Sequence, residues 1–378
     1  MFFEKLQILK EKGLLREIKD RLSPQGPRVK FGKKEYINFS SNDYLGLSNH
    51  PYIIGRVKKA MDEYGHGSGA SRLLGGGSIL HKELEDKVAQ FKDTGSSLIF
   101  NSGYSANTGI IPAITDKDIV IFSDELNHAS IIDGCRLSKA KTLIYRHKDL
   151  SHLRELLRKN NAKRKIIVTD TVFSMEGDIA PLEGIFDICK GYNATLYIDD
   201  AHGTGVLGNG KGALSHFNIK PEPWIIQMGT FSKALGSFGA FVAGSSEVIE
   251  WILNNARSFI FSTTLPSCIV AASIAALDLI EKDSELIKRL WANRNEIVRL
   301  LRDIDYDIVE SETPIIPIRT GTLENTLKIS RYLYGRGVFA PAIRPPTVKE
   351  PRIRITVTAS HTQVDIKRLI DALKELRK

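Results

Sequence analysis

Short apolar runs alternate with helical patterns through the middle of the chain. Each run is only four or five residues long, and the runs lie at residues 97–100, 119–122, 142–145, 166–169, 195–198, 224–228 and 239–242. Runs of this length that end in small or polar residues are typical of buried parallel strands. The pattern predicts an α/β fold with a mainly parallel, seven-stranded central sheet covered by helices.

The two ends of the chain show different patterns. Leucines and isoleucines at helical spacing predict an amphipathic helix over residues 3–22, and a hairpin is predicted over residues 29–39. Beyond residue 266, a helical region reaches to about residue 303 and precedes mixed strands and helices, including a strand over residues 308–318. The chain therefore divides into an N-terminal helix and hairpin segment (1–45), a large α/β domain (46–266) and a smaller C-terminal α+β domain (267–378).

The charge balance is basic, with 53 Lys and Arg residues against 44 Asp and Glu residues and a formal net charge of +9. Most of the basic residues are interleaved with acidic ones along helical segments, which is typical of a solvated surface. We therefore expect no nucleic-acid partner. A phosphorylated, anionic substrate is the better explanation of the excess positive charge.

The cysteine spacing and the hydropathy exclude several classes of protein. Cys135, Cys189 and Cys268 are scattered and form no CxxC pair, which predicts a reducing, cytoplasmic location with no disulfide framework and no metal site. No apolar run approaches the roughly 18 residues that a membrane span requires, so we expect no membrane partner.

Polar side chains follow several of the predicted strands. Singly, each has an ordinary explanation, such as a core histidine, a helix cap, a turn acid or a solvated lysine. Because the carboxyl ends of parallel strands meet at one edge of a sheet, we expect these side chains to share one crevice. They are His128, Ser174, Asp199 with His202, and Thr230 with Lys233.

Pyridoxal phosphate (PLP) chemistry explains this set of residues. Lys233 can hold the cofactor aldehyde as a Schiff base, and Asp199 can pair with the pyridine nitrogen so that the ring accepts electrons. His128 can cover the ring, and His202 can donate to the ring oxygen. The phosphate is expected at a predicted helix start and at a strand-end hydroxyl, which are Gly103 with Tyr104, and Thr230.

Two glycine motifs suggest other chemistry and are rejected. Residues 203–208 match GxGxxG, but the glycine-rich residues after them do not favour the helix that a dinucleotide site needs. Residues 205–211 match GxxxxGK, but Gly212 stands where a P-loop needs Ser or Thr. We expect neither an NAD enzyme nor a P-loop NTPase.

Three motifs resemble those of the α-oxoamine synthases. They are Ser-Ser-Asn-Asp-Tyr-Leu-Gly at 40–46, Asp-Asp-Ala-His-Gly-Thr-Gly at 199–205 and Thr-Phe-Ser-Lys at 230–233. The resemblance covers nearly the whole chain. It implies the aspartate-aminotransferase fold (PLP-dependent fold type I), PLP as the cofactor, and the joining of an amino acid to an acyl-CoA with loss of CO2. It also implies a homodimer with active sites at its interface.

Further motifs resemble one branch of that family. Residues 67–72, 342–348 and 352–361 are similar to the branch of biotin synthesis that uses L-alanine with pimeloyl-CoA or a pimeloyl-carrier protein. The segment Ile-Arg-Pro-Pro-Thr at 343–347 discriminates best among the branches. A glycine C-acetyltransferase remains the alternative enzyme, and a basic binding protein without chemistry is the alternative of another class.

The resemblance implies roles for individual residues. Lys233, His128 and Asp199 would be catalytic. Ser174 would lie near the cofactor oxygen, and Ser262 and Thr263 would reach the phosphate bound by the neighbouring subunit. The implied substrate-binding residues are His128, Asn42, Arg344 for the amino acid carboxylate with Thr347 nearby, and Arg16 for the acyl substrate, with Arg21 as the alternative to Arg16.

Overall fold

A computed structural model describes residues 2–377 of the chain. Its strands are β1 (Arg28–Phe31), β2 (Lys34–Asn38), β3 (Ser96–Phe100), β4 (Ile119–Asp124), β5 (Lys141–Tyr145), β6 (Arg164–Asp170), β7 (Thr195–Asp199), β8 (Ile225–Thr230), β9 (Ala240–Gly244), β10 (Ile315–Arg319), β11 (Val338–Phe339), β12 (Ala342–Ile343) and β13 (Arg352–Thr356).

The helices are α1 (Phe2–Glu11), α2 (Pro51–Tyr64), α3 (Ile79–Phe91), α4 (Gly103–Ala113), α5 (Ala129–Leu137), α6 (Leu150–Arg158), α7 (Leu182–Tyr192), α8 (Ala213–His216), α9 (Ser246–Asn255), α10 (Arg257–Ile260), α11 (Ser267–Lys282), α12 (Ser284–Asp303), α13 (Leu323–Gly335) and α14 (Gln363–Leu376). Within residues 2–377, no helix is long and apolar enough to span a bilayer.

The chain forms two compact units. The larger unit comprises residues 50–173 and 179–284, and the smaller one comprises the chain up to Asn49, residues 174–178 and the chain from Glu285 onward. The boundaries predicted from the sequence were 45/46 and 266/267. Helix α11 belongs to the larger unit because its Cys268 and Ala271 pack with Ala60 of α2.

The larger unit contains the seven-stranded sheet, in the order β3-β9-β8-β7-β6-β4-β5. Strands β4 to β8 pair in parallel, whereas β9 is antiparallel to both β8 and β3. Every residue of β4, β8 and β9 is buried, which explains why these runs read as continuous apolar stretches and not as alternating ones. The predicted mainly parallel seven-stranded α/β sheet is confirmed.

One face of this sheet packs against helices that lie next to the site described below. Ile110 and Ile111 of α4 share a buried core with Ile121 of β4, Val168 of β6 and Met228 of β8. Helices α5, α9 and α10 contribute to the same core, so the sheet edge and the start of α4 are held rigidly together.

The smaller unit is built from two three-stranded sheets and three long helices. The sheets have the strand orders β1-β2-β11 and β10-β13-β12. Apolar side chains of α12, α13 and α14, among them Leu301, Leu333 and Leu369, share a buried core with Ile353 and Ile355 of β13. This is the α+β mixture that the C-terminal pattern predicted.

Two predicted elements are wrong in length. The helix predicted over 3–22 ends at Glu11, because Gly13 adopts a left-handed conformation with φ +65° that an α-helix cannot continue through. The strand predicted over 308–318 is present only as β10, and Ile308 joins it through a single bridge to Ile318. The hairpin predicted over 29–39 is confirmed as β1 and β2.

Candidate active site

A cavity of about 240 Å³ opens at the carboxyl ends of the parallel strands in the larger unit. The strand ends of β6, β7 and β8 and the starts of α4 and α5 surround it, which is the usual ligand position in such a sheet. It is lined by Ser102, Gly103, Tyr104, His128, Ser130, Asp170, Asp199, Ala201, His202, Met228, Thr230, Ser232 and Lys233.

The structure therefore brings together most of the residues that the sequence singled out in this unit. Seven predicted cofactor-binding residues line one cavity, although 130 positions separate the first from the last in the chain: Gly103, Tyr104, His128, Asp199, His202, Thr230 and Lys233. Their convergence is an observation, whereas their individual roles stay predictions.

Asp199 is the last residue of β7 and is buried. Its Oδ2 accepts a hydrogen bond from Asn107 Nδ2 at 2.8 Å, and its Oδ1 accepts one from the backbone N–H of Ala201 at 3.0 Å. A buried carboxylate is tolerated only when such donors compensate for its lost hydration. These two bonds fix the carboxylate at the cavity wall.

His128 lies at the start of α5, where its imidazole caps the helix. Its Nδ1 lies 2.7 Å from Ser130 Oγ and accepts from the Ser130 backbone N–H at 3.3 Å. The His128 backbone N–H donates to Asp170 Oδ2 at 2.6 Å. The ring is fixed at the cavity because Asp170 holds the backbone of His128 and Ser130 holds its side chain.

The electrostatic surroundings favour a neutral imidazole. Burial lowers the pKa of His128, and the positive charge of Lys233 lowers it further, while the negative charge of Asp199 opposes both effects. Burial together with the nearby charge of Asp199 raises the pKa of Asp170 well above its ordinary value. Asp170 and Asp199 are direct neighbours in the register of β6 and β7, which explains their repulsion.

Lys233 follows the end of β8 in a tight turn. The N–H of Gly236 donates to the Lys233 carbonyl at 2.9 Å, and Gly236 itself has φ +62°, which a side chain would disfavour. Thr230 Oγ1 donates to the Gly239 carbonyl at 2.7 Å and lies 2.7 Å from Ser232 Oγ. The turn therefore presents hydroxyl groups and the lysine to the cavity from one short segment.

Helix α4 begins at Gly103, as the sequence predicted. Ser102 caps it, because its Oγ accepts from the backbone N–H of Ser105 at 3.1 Å. The first N–H groups of a helix and its positive dipole end attract anions, so this start suits a phosphate. Tyr104 is half exposed, and its hydroxyl donates to Asp133 of α5.

Ser262 and Thr263 belong to the larger unit but are not among the residues that line the cavity. Thr263 forms a single antiparallel bridge with Ser71, and its carbonyl accepts from Asn101 Nδ2 at 2.7 Å. Their predicted contact is with a neighbouring subunit, and that role stays a prediction.

The other predicted residues belong to the smaller unit. They are Ser174, Arg16, Asn42, Arg344 and Thr347. There Arg16 Nη2 donates to Thr347 Oγ1 at 3.0 Å, and Arg344 Nη2 donates to the Leu15 carbonyl at 2.7 Å. Two arginines and a threonine thus form one cationic cluster.

Other contacts in this unit bear on the choice between the two arginines. Asn42 Oδ1 accepts from Arg354 Nη2 at 3.0 Å. The alternative arginine, Arg21, donates to the carbonyl of Ser23, two residues further along the chain. The Arg16 contact with Thr347 therefore favours Arg16 over Arg21 as the member of this cluster, while the substrate-binding roles stay predictions.

The rejected glycine motifs have a structural explanation. Gly205, Gly208, Gly210 and Gly212 all have positive φ, and no α-helix starts at residues 203–208. A Cβ atom at Gly212 would clash with the carboxylate of Asp200, so the bare backbone is needed to close around that group. The motif serves a turn and not a phosphate.

Sequence reasoning missed the polar residues that hold Asp199 and His128 in place, which are Asn107, Ser130 and Asp170. Asn107 is fully buried between Ala106 and Thr108 of α4, and an asparagine inside a predicted helix was the available signal. Ser130 and Asp170 carried no comparable signal, because helix starts and strand ends are ordinary positions for such residues.

Known proteins resemble this chain in both sequence and structure. The family model for aminotransferase class I and II matches residues 34–373. The chain belongs to the aminotransferase class I and II family. This confirms the family-level expectation, because the match covers most of the chain.

Individual members of this family align over the whole length. A protein of Thermodesulfovibrio yellowstonii, provisionally named 8-amino-7-oxononanoate synthase, is 54% identical over 99% of this chain and 96% of its own. The 8-amino-7-oxononanoate synthase of Thermoanaerobacter pseudethanolicus is 45% identical over 99% and 96%. A solved structure of SPT with PLP as an internal aldimine has a TM-score of 0.93, with 26% identity over 99% and 96%. The predicted fold of PLP-dependent aminotransferases is confirmed.

Proposed function

We propose that this chain condenses L-alanine with a pimeloyl thioester, releasing CO2 and the carrier thiol and forming 8-amino-7-oxononanoate, an intermediate of biotin synthesis. The observation that carries the proposal is the cavity in which Lys233, Asp199, His128 and His202 converge. The names of two full-length relatives, at 54% and 45% identity, support the choice of substrates.

The residues of the cavity fit PLP. Lys233 offers an amine for the aldehyde, Asp199 a fixed carboxylate for the pyridine nitrogen, and His202 a donor for the ring oxygen. The start of α4 at Gly103 offers backbone donors for a phosphate, and Thr230 would offer its hydroxyl hydrogen by turning it away from the Gly239 carbonyl. The cofactor supplies an electron sink that stabilises negative charge on the amino acid carbon.

The chain's own residues then handle protons and charge. The Lys233 amine removes the proton from Cα of alanine as a general base and returns a proton after CO2 is lost. His128 donates a hydrogen bond to the oxygen of the thioester carbonyl, on which negative charge develops during attack. Asp199 would present its carboxylate to the ring nitrogen in the orientation that Asn107 fixes.

The basic cluster in the smaller unit supplies recognition of anionic groups. We assign the alanine carboxylate to Arg344 with Asn42 and Thr347, and the distal carboxylate of the pimeloyl group to Arg16. A guanidinium suits a carboxylate because it donates two parallel hydrogen bonds. Ser174 completes the set near the cofactor oxygen.

The proposed assembly is a homodimer in the cytoplasm. Ser262 and Thr263 lend their hydroxyl groups to the phosphate bound by the neighbouring subunit. The acyl donor carries its pimeloyl group on CoA or on a carrier protein.

Purified enzyme with PLP, assayed with two substrate pairs, tests this proposal. Pimeloyl-CoA with L-alanine should give CO2 and 8-amino-7-oxononanoate by mass spectrometry, with pimeloyl-carrier protein as a parallel donor. Acetyl-CoA with glycine should give little or no product. The Lys233→Ala variant is the inactive control. Preferential turnover of glycine with acetyl-CoA would replace the proposal by a glycine C-acetyltransferase, and failure to bind PLP would end both.

A further inference from the structure

Asn107 lies at the centre of a polar network beneath the cavity, although it does not line the cavity itself. It is fully buried in α4. Its Oδ1 accepts from the Tyr197 hydroxyl at 2.6 Å, and its Nδ2 donates to Asp199 Oδ2 and to Ser130 Oγ, both at 2.8 Å. A buried amide is costly unless its bonds are made, and here both amide hydrogens and the amide oxygen are used.

The chemistry of the partners fixes the direction of the Asn107 bond to Asp199 and favours one direction for the Ser130 contact with His128. A carboxylate only accepts, so the amide nitrogen of Asn107 must face Asp199. Since Ser130 Oγ accepts from Asn107, its own hydrogen is left for the nearby Nδ1 of His128. The Ser130 backbone N–H also donates to that nitrogen. A neutral His128 therefore carries its hydrogen on Nε2, where it can be donated at the cavity.

We propose that Asn107 is a positioning residue that joins Asp199 and His128 into one unit. One hydrogen of its amide orients the carboxylate, and the other orients the Ser130 hydroxyl and, through it, the tautomer of the imidazole. The inference rests on the proposed function, in which these two residues act on the cofactor and the acyl oxygen. It predicts that a substitution of Asn107, which is two hydrogen bonds away from His128, disturbs Asp199 and His128 together.

Replacement of the amide by an apolar side chain of similar shape tests the inference. Asn107→Leu should weaken PLP binding by the apoenzyme about ten- to hundredfold, because a hydrogen bond to a charged group is lost. It should also move the 15N resonance of His128 Nδ1, assigned by its absence in His128→Gln. Ser130→Ala breaks only one branch, so it should move the same resonance while weakening PLP binding less than Asn107→Leu does.

A matched control separates positioning from general destabilisation. Asn293 is another buried asparagine, and its Nδ2 donates to the carbonyls of Thr358 and His361 in the smaller unit. Asn293→Leu should lower the melting temperature and leave PLP affinity and the His128 resonance unchanged.

Two results would overturn the inference. The first is a folded Asn107→Leu variant with wild-type PLP affinity and an unmoved His128 resonance. The second, which decides the matter if Asn107→Leu does not fold, is an unmoved Nδ1 resonance in Ser130→Ala. A wild-type chain that does not bind PLP would overturn the proposed function instead, and the Nδ1 resonance would still decide the inference.

Discussion

Two consecutive aspartates at the end of β7, Asp199 and Asp200, have different partners on opposite faces of the sheet. Successive side chains of a strand point to opposite faces, so Asp199 contacts Asn107 of α4, while Asp200 contacts Lys92 after α3. Asp200 Oδ2 lies 2.8 Å from Lys92 Nζ, and both side chains are 1% exposed. Asp199 lines the cavity and shares it with Lys233.

The Asp200 carboxylate accepts further hydrogen bonds besides the one from Lys92. Its Oδ1 accepts from Thr171 Oγ1 at 2.7 Å and from the Ala213 backbone N–H at 3.1 Å, and its Oδ2 also accepts from Thr204 Oγ1 at 2.9 Å. A carboxylate neutralised in this way stabilises the turn in which it lies. A carboxylate that borders a cavity, like Asp199, can instead act on a ligand.

Among the substitutions that compare the two aspartates, removal of the Asp199 charge should reduce turnover most. Asp199→Asn keeps the shape of the side chain and removes its charge, so turnover should fall on the order of 10³-fold. Folding stability should fall by about 1–3 kcal/mol, because the new amide nitrogen cannot accept the bond from Asn107 or from the Ala201 N–H. Steady-state turnover and the melting temperature measured together check this. A strong loss of stability with ordinary turnover would place Asp199 in the same structural class as Asp200.

Removal of the cation that pairs with Asp200 should reduce folding stability. Lys92→Met leaves the Asp200 carboxylate buried without its cation, which should cost about 3–5 kcal/mol of unfolding free energy in urea titrations. Lys87→Met is the control, since Lys87 pairs with Asp278 and Glu281 where the side chains are partly exposed. There the loss should stay below about 1 kcal/mol.

The neutral double variant Lys92→Met/Asp200→Asn separates the charge of Asp200 from its hydrogen bonds. It leaves no unpaired charge, so it should recover most of the stability that Lys92→Met loses. Equal losses in the single and double variants would mean that the other bonds of Asp200, and not its charge, hold the turn.

The smaller unit contains a buried histidine, His361, which unlike His128 does not line the cavity of the candidate site. His361 uses both ring nitrogens within the protein: Nδ1 accepts from the Thr358 N–H, and Nε2 donates to the Asn38 carbonyl. Burial lowers its pKa from 6.5 to about 4. Because the unfolded chain binds the proton more readily, stability is full above pH 6.5 and falls as the pH drops towards 4.

The fall attributable to His361 should be about 3 kcal/mol between these two pH values. Urea unfolding at pH 7.5 and pH 4.5 measures it. His361→Gln should be less stable at the higher pH and should lose less stability on acidification than wild type. Parallel pH curves for the two proteins would show that other groups carry the acid sensitivity.

The smallest expected effect concerns the glycine that closes over Asp200. Gly212→Ala introduces a Cβ atom against the carboxylate at φ +104°, which should cost about 1–3 kcal/mol in urea unfolding. Gly191 of α7 is the control, since its added Cβ meets nothing within 4 Å and its φ is not positive. Gly191→Ala should be neutral or stabilising by up to about 1 kcal/mol. Equal effects at both glycines would refute the close-packing argument.

Much of the fold was predictable because buried parallel strands need nearly continuous apolar residues. All seven apolar runs became strands of one sheet, each within about two residues of its predicted bounds. The N-terminal helix was overestimated because the apolar spacing continues past Gly13, where the backbone conformation breaks the helix. Periodicity reports which residues can share a helix face, and it does not report where the backbone turns.

Local sequence determined the elements, the strand-end positions of Asp199 and Lys233, and the helix start at Gly103, since each depends on neighbours in the chain. Only the tertiary structure decided that Asn107, Ser130 and Asp170 support the cavity, and that Asp200 is paired with Lys92, 108 positions away. Those contacts depend on which strands become neighbours in the sheet. A linear pattern carries no information on the partner that a buried polar group will find once the strands have assembled.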